Sequence, residues 1–251
     1  MVRGIDTFRE WFRGHGAQYA IIGGTACDLL MTEEGLDFRA TKDIDLVLIV
    51  ESVDAVFGKL FWDFVNTAGY EHRSKSSGVP QFYRFTNPKS RDFPAMIELF
   101  SRKPDMISLP ADAVLSPLPM DDDVSSLSAI LLDDDYYMFL RQGRIQLAGV
   151  TVLDAPYLIP FKAKAWLDLS ARKAAGEAID GKNIRKHKND VFRLAELLTP
   201  LPDPTLQVPP AVRADMQRFL EQMESEFVDL RQLSVLRPKS EILDHLRRYY
   251  G

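Results

Sequence analysis

The run Tyr19-Ala-Ile-Ile-Gly-Gly-Thr25, followed after a gap by Phe38-Arg-Ala-Thr-Lys-Asp-Ile-Asp-Leu-Val-Leu48, constrains this chain more than any other stretch. Tyr19 to Ile22 is an uninterrupted apolar run and reads as a buried strand. Gly23 and Gly24 let the backbone turn tightly with no Cβ in the way, and Thr25 to Met31 resumes as a helix. The amides that open a helix have no partner inside it, so a strand, a glycine turn and a helix in that order can meet a phosphate group. In the second run Asp43 and Asp45 stand two apart in a strand, where side chains alternate between faces. Both carboxylates therefore leave one face while Ile44 and Leu46 leave the other. Two carboxylates converging in this way suit Mg²⁺, a hard cation that takes oxygen ligands.

Further strands are expected at Gln81 to Thr86 and Ala95 to Phe100, joined by the turn-rich Asn87-Pro-Lys-Ser-Arg-Asp92. In the second of them Glu98 alternates with Ile97 and Leu99, so it faces away from the side on which those two pack. Glu98 is the natural third carboxylate, with Asp92 in reserve.

Taken together and in this order, these residues resemble the DNA polymerase β-like nucleotidyltransferase superfamily, in which a Gly-Gly/Ser turn and helix precede an Asp-hydrophobic-Asp strand. The longer form, Gly-Gly-Thr and then Arg-Ala-Thr-Lys-Asp-Ile-Asp-Leu, looks most like the AbiEii/MenT-type branch, known as toxins of bacterial toxin–antitoxin and abortive-infection systems. The resemblance implies an α+β fold, with a mixed sheet and helices followed by a C-terminal helical region. It also implies an enzyme that moves a nucleoside monophosphate from an NTP to an acceptor hydroxyl. Two Mg²⁺ ions, roughly 4 Å apart, would assist an in-line attack on the α-phosphate. Asp43, Asp45 and Glu98 are then metal ligands, and Gly23, Gly24, Thr25, Arg39 and Lys42 face the nucleotide, with Thr41 in the same segment. The branch also places a lysine on the first helix after the sheet and a basic-Asp pair on the next. Lys164 and Lys188-Asn-Asp190 resemble these, and Lys162, roughly 200° around the helix from Lys164, competes for the first role. Implied partners are an RNA acceptor such as a tRNA 3′ end and a cognate antitoxin. Two alternatives stand beside this reading: a small-molecule adenylyltransferase of the antibiotic-modifying kind, and a nucleotide-binding, antitoxin-like module without turnover.

At 251 residues and 46% hydrophobic, the chain can bury a sizeable core. Its formal charge of −5 gives no general attraction to nucleic acid, so such a partner needs a local basic face. The stretch 161–193 offers one: Lys162, Lys164, Arg172, Lys173, Lys182, Arg185, Lys186, Lys188 and Arg193 stand against Asp168, Glu177, Asp180 and Asp190. One cysteine, Cys27, excludes an internal disulfide and reads as a small core residue, which fits a reducing cytoplasm. The N-terminus is an amphipathic helix rather than a signal peptide, and no stretch is apolar enough to span a membrane.

The expected organisation is a nucleotidyltransferase domain over residues 1–154 and a helical domain over 155–251. In the first, Val53 to Ala68 has helical spacing and Gly69 as its stop. A proline-rich segment with acidic turns at Asp121–Asp123 and Asp133–Asp135 surrounds a short helix at Ser125 to Leu132. Strands at Tyr136–Leu140 and Ile145–Leu153 then complete the sheet. Helices at Tyr157–Ser170, Lys186–Leu198, Ala211–Glu224 and Ser240–Tyr250 make up the second domain, with a proline-rich linker at Thr199–Pro210.

Overall fold

The computed structural model describes residues 2–71, 83–102, 115–117, 128–203 and 206–251. The chain is α+β and divides into two compact units, residues 1–137 with 144–153, and residues 138–143 with 154–251.

The first unit is built on one mixed sheet. Its strands are β1 (Tyr19–Ile22), β2 (Asp43–Leu48), β3 (Arg84–Thr86), β4 (Met96–Ser101), β5 (Leu115–Pro117), β6 (Ser128–Leu131), β7 (Arg144–Leu147) and β8 (Val150–Leu153). They run in the order β5-β6-β4-β2-β1-β8-β7, and β3 pairs with β4 beyond that path. Three helices belong to the same unit, α1 (Ile5–Trp11), α2 (Gly23–Glu33) and α3 (Ala55–Ala68). β2 is antiparallel to β1 and parallel to β4, which places Ile22 opposite Asp45 and Asp45 opposite Glu98.

Alternation along β2 and β4 puts Ile44, Leu46, Ile97 and Leu99 on one face, all fully buried. Phe85 of β3, in register with Ile97, joins them. Helices α1 and α3 cover that face with aromatic rings: Phe61 meets Phe85 edge-on at 5.4 Å, Phe8 meets Tyr19 at 5.5 Å, and Phe12 packs 5.3 Å from Phe64. α3 starts where Asp54 accepts a hydrogen bond from the Phe57 amide and ends at Gly69 in the left-handed region, as its sequence predicts. The opposite face carries Asp43, Asp45 and Glu98. Cys27 is buried within α2.

Burial in this core pushes the Tyr19 phenol up to about 12, against a weaker opposing contact with the Thr151 backbone. The phenol is therefore neutral in the native state, while the unfolded chain ionises near pH 10. Stability is thus fully present below pH 10 and is lost as pH rises through about 12, by up to about 3 kcal/mol from this residue. Urea unfolding of wild type and Tyr19→Phe on either side of pH 10 checks this, and the variant loses less stability over the alkaline arm.

Three expectations are corrected. Tyr136–Leu140, expected as a strand, lies inside helix α4 (Asp134–Gln142). The Asp133 carboxylate accepts a hydrogen bond from the Asp135 amide at 3.0 Å and so starts a helix that outweighs the strand preference of the aromatic run. Ser128–Leu131, expected within a helix, is strand β6, parallel to β4 through Phe100 and Ser101; residues 125–127 lie outside the described residues. Ile145–Leu153, expected as one strand, is the β7–β8 hairpin, turning at Ala148 and Gly149, both at positive φ. The acidic cluster Asp121–Asp123 and residues 81 and 82 also fall outside the described residues.

The second unit contains the C-terminal part of α4 together with α5 (Ala155–Ala174), α6 (Gly181–Leu194), α7 (Pro210–Ser225) and α8 (Lys239–Tyr250); a 3₁₀ turn, Ala195–Leu197, follows α6. Trp166 on α5 meets Phe219 on α7 edge-on at 5.5 Å, and Phe139 lies 4.7 Å from Tyr157. The Tyr250 hydroxyl donates to the Pro156 carbonyl at 2.6 Å, which ties α8 to the start of α5. No helix among the described residues is long and apolar enough to cross a membrane.

Candidate functional site

The site is assembled on the sheet face that α1 and α3 leave open. Gly23 closes the turn from β1 into α2 at φ +71°, a conformation that side-chain-bearing residues rarely adopt. A Cβ there would lie 1.8 Å from Asp45 Oδ2, so the carboxylate occupies the space the missing side chain provides. Asp45 is thereby seated against the first turn of α2, where the positive end of the helix dipole favours negative charge. A Cβ on Gly24 would lie 3.0 Å from Thr41 Oγ1 and 3.4 Å from Arg39 Nη2. The segment before β2 therefore folds back over the glycine turn. Arg39 also lies over the Phe38 ring, 5.0 Å from its centre. Asp28, buried one turn further along α2, has its carboxyl pushed up by desolvation, with the Arg39 charge pulling the other way.

The Thr25 side chain does not cap α2. Its Oγ1 donates to the Asp43 carbonyl at 2.6 Å, fully buried, and fixes the start of β2 to the first turn of α2. The cap position is Ile22, whose side chain cannot accept a hydrogen bond. Contact between Thr25 and an anion would therefore come from its backbone.

Glu98 stands beside Asp45 in register and on the same face. Its carboxylate accepts from Arg84 Nε at 2.7 Å and from Arg84 Nη2, and Arg84 sits directly opposite it on β3. Among the described residues, no group of three or more His, Cys, Asp or Glu side chains is placed to hold a metal. The Asp43–Asp45 pair matches what Mg²⁺ commonly takes from a protein, one or two carboxylates with substrate phosphates completing the shell. The donor set thus fits one ion shared with a triphosphate. For Glu98 to act as a third ligand, it must give up Arg84.

The first unit therefore brings Gly23, Gly24, Arg39, Thr41, Asp43 and Asp45 together, with Glu98 alongside. Lys42, exposed, precedes Asp43 and lines a cleft together with it. Lys164 and Asp190 belong to the second unit. There Lys162 is the lysine that meets Asp190, 3.0 Å from its Oδ2, with both side chains almost fully buried and Arg193 at 3.9 Å. Lys164 lies against Asp215 at 3.4 Å and Asp168 at 3.7 Å. Lys188 is held by Glu226 and the Phe227 carbonyl.

Sequence reasoning missed Arg84 and Asp28. Phe85 buried between Arg84 and Thr86 was a signal that Arg84 faces outward, but its pairing with Glu98 depends on strand register.

No family model matches the chain, and no curated protein matches it. Among solved structures it is similar to the crystal structure of the Megavirus polyadenylate synthase, at 8% identity and a TM-score of 0.31, over 97% of this chain and 49% of that one. The chain thus spans about half the length of that protein. A likeness at this level decides nothing about the site, whose chemistry is read from its own residues.

Proposed function

We propose that the protein is an Mg²⁺-dependent nucleotidyltransferase that moves a nucleoside monophosphate from an NTP to an acceptor hydroxyl. The observation that carries this reading is the seating of the Asp45 carboxylate against the Gly23 turn, with Asp43 on the same face and Glu98 in register beside it. In the proposal Asp43 and Asp45 hold the ion, and the first-turn amides of α2 with Arg39 orient the triphosphate. Bound Mg²⁺ would polarise the phosphates and favour ionisation of the attacking hydroxyl. Glu98, aligned by Arg84, is the residue that takes the proton. Of the helical unit's residues, the proposal keeps Lys164, about one-third exposed, as a cation for an anionic ligand, and gives the buried Asp190 a positioning role through Lys162.

The finer form of the proposal is a toxin-like enzyme of the AbiEii/MenT type, acting on RNA and held in check by an antitoxin. Its support is the Arg39-to-Leu46 run, of which Arg39 and Thr41 approach Gly24 and Asp45 fills the space at Gly23. Incubation with α-labelled NTPs, Mg²⁺ and total RNA is expected to label an acceptor with wild type and not with Asp45→Ala. Induced expression in a bacterial host is expected to arrest growth in the same Asp45-dependent way. Equal labelling by both proteins would reject the reading.

A second reading, a nucleotide-binding module without turnover, is favoured by one observation: Glu98 is engaged by Arg84. It predicts that NTP·Mg²⁺ raises the melting temperature by mass action while no pyrophosphate is released. Pyrophosphate release that depends on Glu98 eliminates it.

A further inference from the structure

Asp43 also lines a cleft of about 660 Å³ whose lining does not include Gly23 or Gly24. Arg3, Lys42, Lys89 and Arg91 line it, together with Asn87 and Asp43 itself. Among the described residues, no ion pair joins any of these four cations to a carboxylate, whereas Arg9, Arg13, Arg84 and Arg102 in the same unit each have one. Four like charges around one cleft repel each other, and an anion bound there would relieve that repulsion.

The cleft is also built to keep its shape. Arg3 donates to three backbone carbonyls of the loop that carries Arg91: Ser90 at 3.2 Å, Arg91 at 3.2 Å and Phe93 at 3.0 Å. The buried Tyr70 hydroxyl holds the Pro94 carbonyl at 2.6 Å, and the Ala95 amide donates to the Lys42 carbonyl at 2.8 Å. Gly4 abuts Pro94 so closely that a Cβ would lie 2.2 Å from its nitrogen. The Lys89 amide donates to the Ala68 carbonyl and its aliphatic stem lies over Gly69, so the residue is anchored where it lines the cleft. These contacts pre-organise the cations before any ligand arrives, which is how a phosphate site gains affinity.

We infer that this cleft is a second phosphate site, distinct from the glycine turn, which takes adjacent phosphate groups of the acceptor. The acceptor would thus be a polyanion with a phosphodiester backbone rather than a cationic small molecule. Only the word acceptor rests on the nucleotidyltransferase reading; the binding itself does not.

The test uses the full chain without NTP, with a short fluorescein-labelled single-stranded RNA followed by anisotropy over a salt series. Inorganic tripolyphosphate is titrated separately and as a competitor. Removing the two exposed cations, Lys89→Ala/Arg91→Ala, is expected to weaken RNA binding at least tenfold. It is also expected to lower the slope of log affinity against log salt by about 0.7 per cation. Lys89→Arg/Arg91→Lys, which keeps the charge, retains binding, and melting temperatures confirm that both variants are folded. Displacement of RNA by tripolyphosphate supports phosphates as the groups recognised. Binding of tripolyphosphate with none of the RNA would assign the cleft to a free polyphosphate and overturn the acceptor assignment. Unchanged RNA affinity in the alanine variant, or binding of neither probe, overturns the inference altogether. Asp45→Ala leaves cleft binding in place. No transfer by wild type with intact cleft binding therefore counts against the catalytic reading alone, and transfer by wild type without cleft binding counts against this inference alone.

Discussion

On the proposed nucleotidyltransferase reading, Gly23→Ala is expected to abolish nearly all nucleotidyl transfer and also to destabilise the protein. Two separate costs meet at this position. An alanine at φ +71° is strained by about 1–2 kcal/mol, and its Cβ would overlap Asp45 Oδ2, so the crowding adds about 1–3 kcal/mol. The chain can relieve the overlap only by moving the Asp45 carboxylate or opening the turn, and both disturb the site. A displacement of about 1 Å at a reacting centre can cost about 100-fold in rate, and a loss of at least that size is expected. Gly24→Ala is the control. Its Cβ would meet the ends of the Thr41 and Arg39 side chains, which can yield, so stability changes little and activity falls less. Labelled-NTP incorporation with urea unfolding of both variants checks the pair. Equal activities for the two would show that the seating of Asp45 is not what matters.

The largest effect on stability is expected in the helical unit. Lys162 and Asp190 form an ion pair in which both side chains are almost completely removed from water. Deleting one partner of a buried pair leaves an uncompensated charge, which costs about 3–5 kcal/mol, whereas replacing both with apolar residues is often neutral. Lys162→Met is therefore expected to lose about 3–5 kcal/mol, with Arg193, 3.9 Å from Asp190, holding the loss toward the lower end. Lys162→Met/Asp190→Leu is expected to recover most of it. Chemical denaturation of the single and double variants gives the coupling directly. Additive losses would mean that the two residues do not act as a pair. Lys164→Met, at a side chain about one-third exposed, should change stability by less than about 1 kcal/mol.

The carboxylate platform was legible because its information is local. Alternation alone places Asp43 and Asp45 on one face and Ile44 and Leu46 on the other, and the glycine pair marks the turn before them. Glu98 followed from the same alternation on a neighbouring strand. What alternation cannot give is register, and register decided that Arg84 would lie opposite Glu98 and occupy its carboxylate. The role of Thr25 was hidden for a similar reason: a threonine after a glycine turn is a plausible cap, but the Asp43 carbonyl 18 residues away competes for its hydroxyl and wins. Tyr136 to Leu140 failed through propensity, since an aromatic run reads as strand until the Asp133 cap is weighed against it. The β7–β8 turn escaped because Ala148 supplies a positive φ where asparagine or aspartate is the usual signal. Lys162 and Lys164 lie on one helix, and only the packing of α5 against α6 shows which of them faces Asp190. The cationic cleft draws Arg3, Lys42, Lys89 and Arg91 from three separate stretches of chain, so no window of sequence displays it.

The central claim is that Asp43 and Asp45 carry nucleotidyl transfer at the glycine turn. The most direct measurement is Mg²⁺-dependent release of pyrophosphate from each NTP in the presence of total RNA, comparing wild type with Asp45→Asn. The substitution keeps the shape that fits against Gly23 and removes the charge, so without ligand the protein should stay folded, with stability lowered by about 0.3–1 kcal/mol for the lost helix-end interaction. The account predicts release by wild type that rises with Mg²⁺ and falls to background in Asp45→Asn. Undiminished release by a folded Asp45→Asn protein would contradict it.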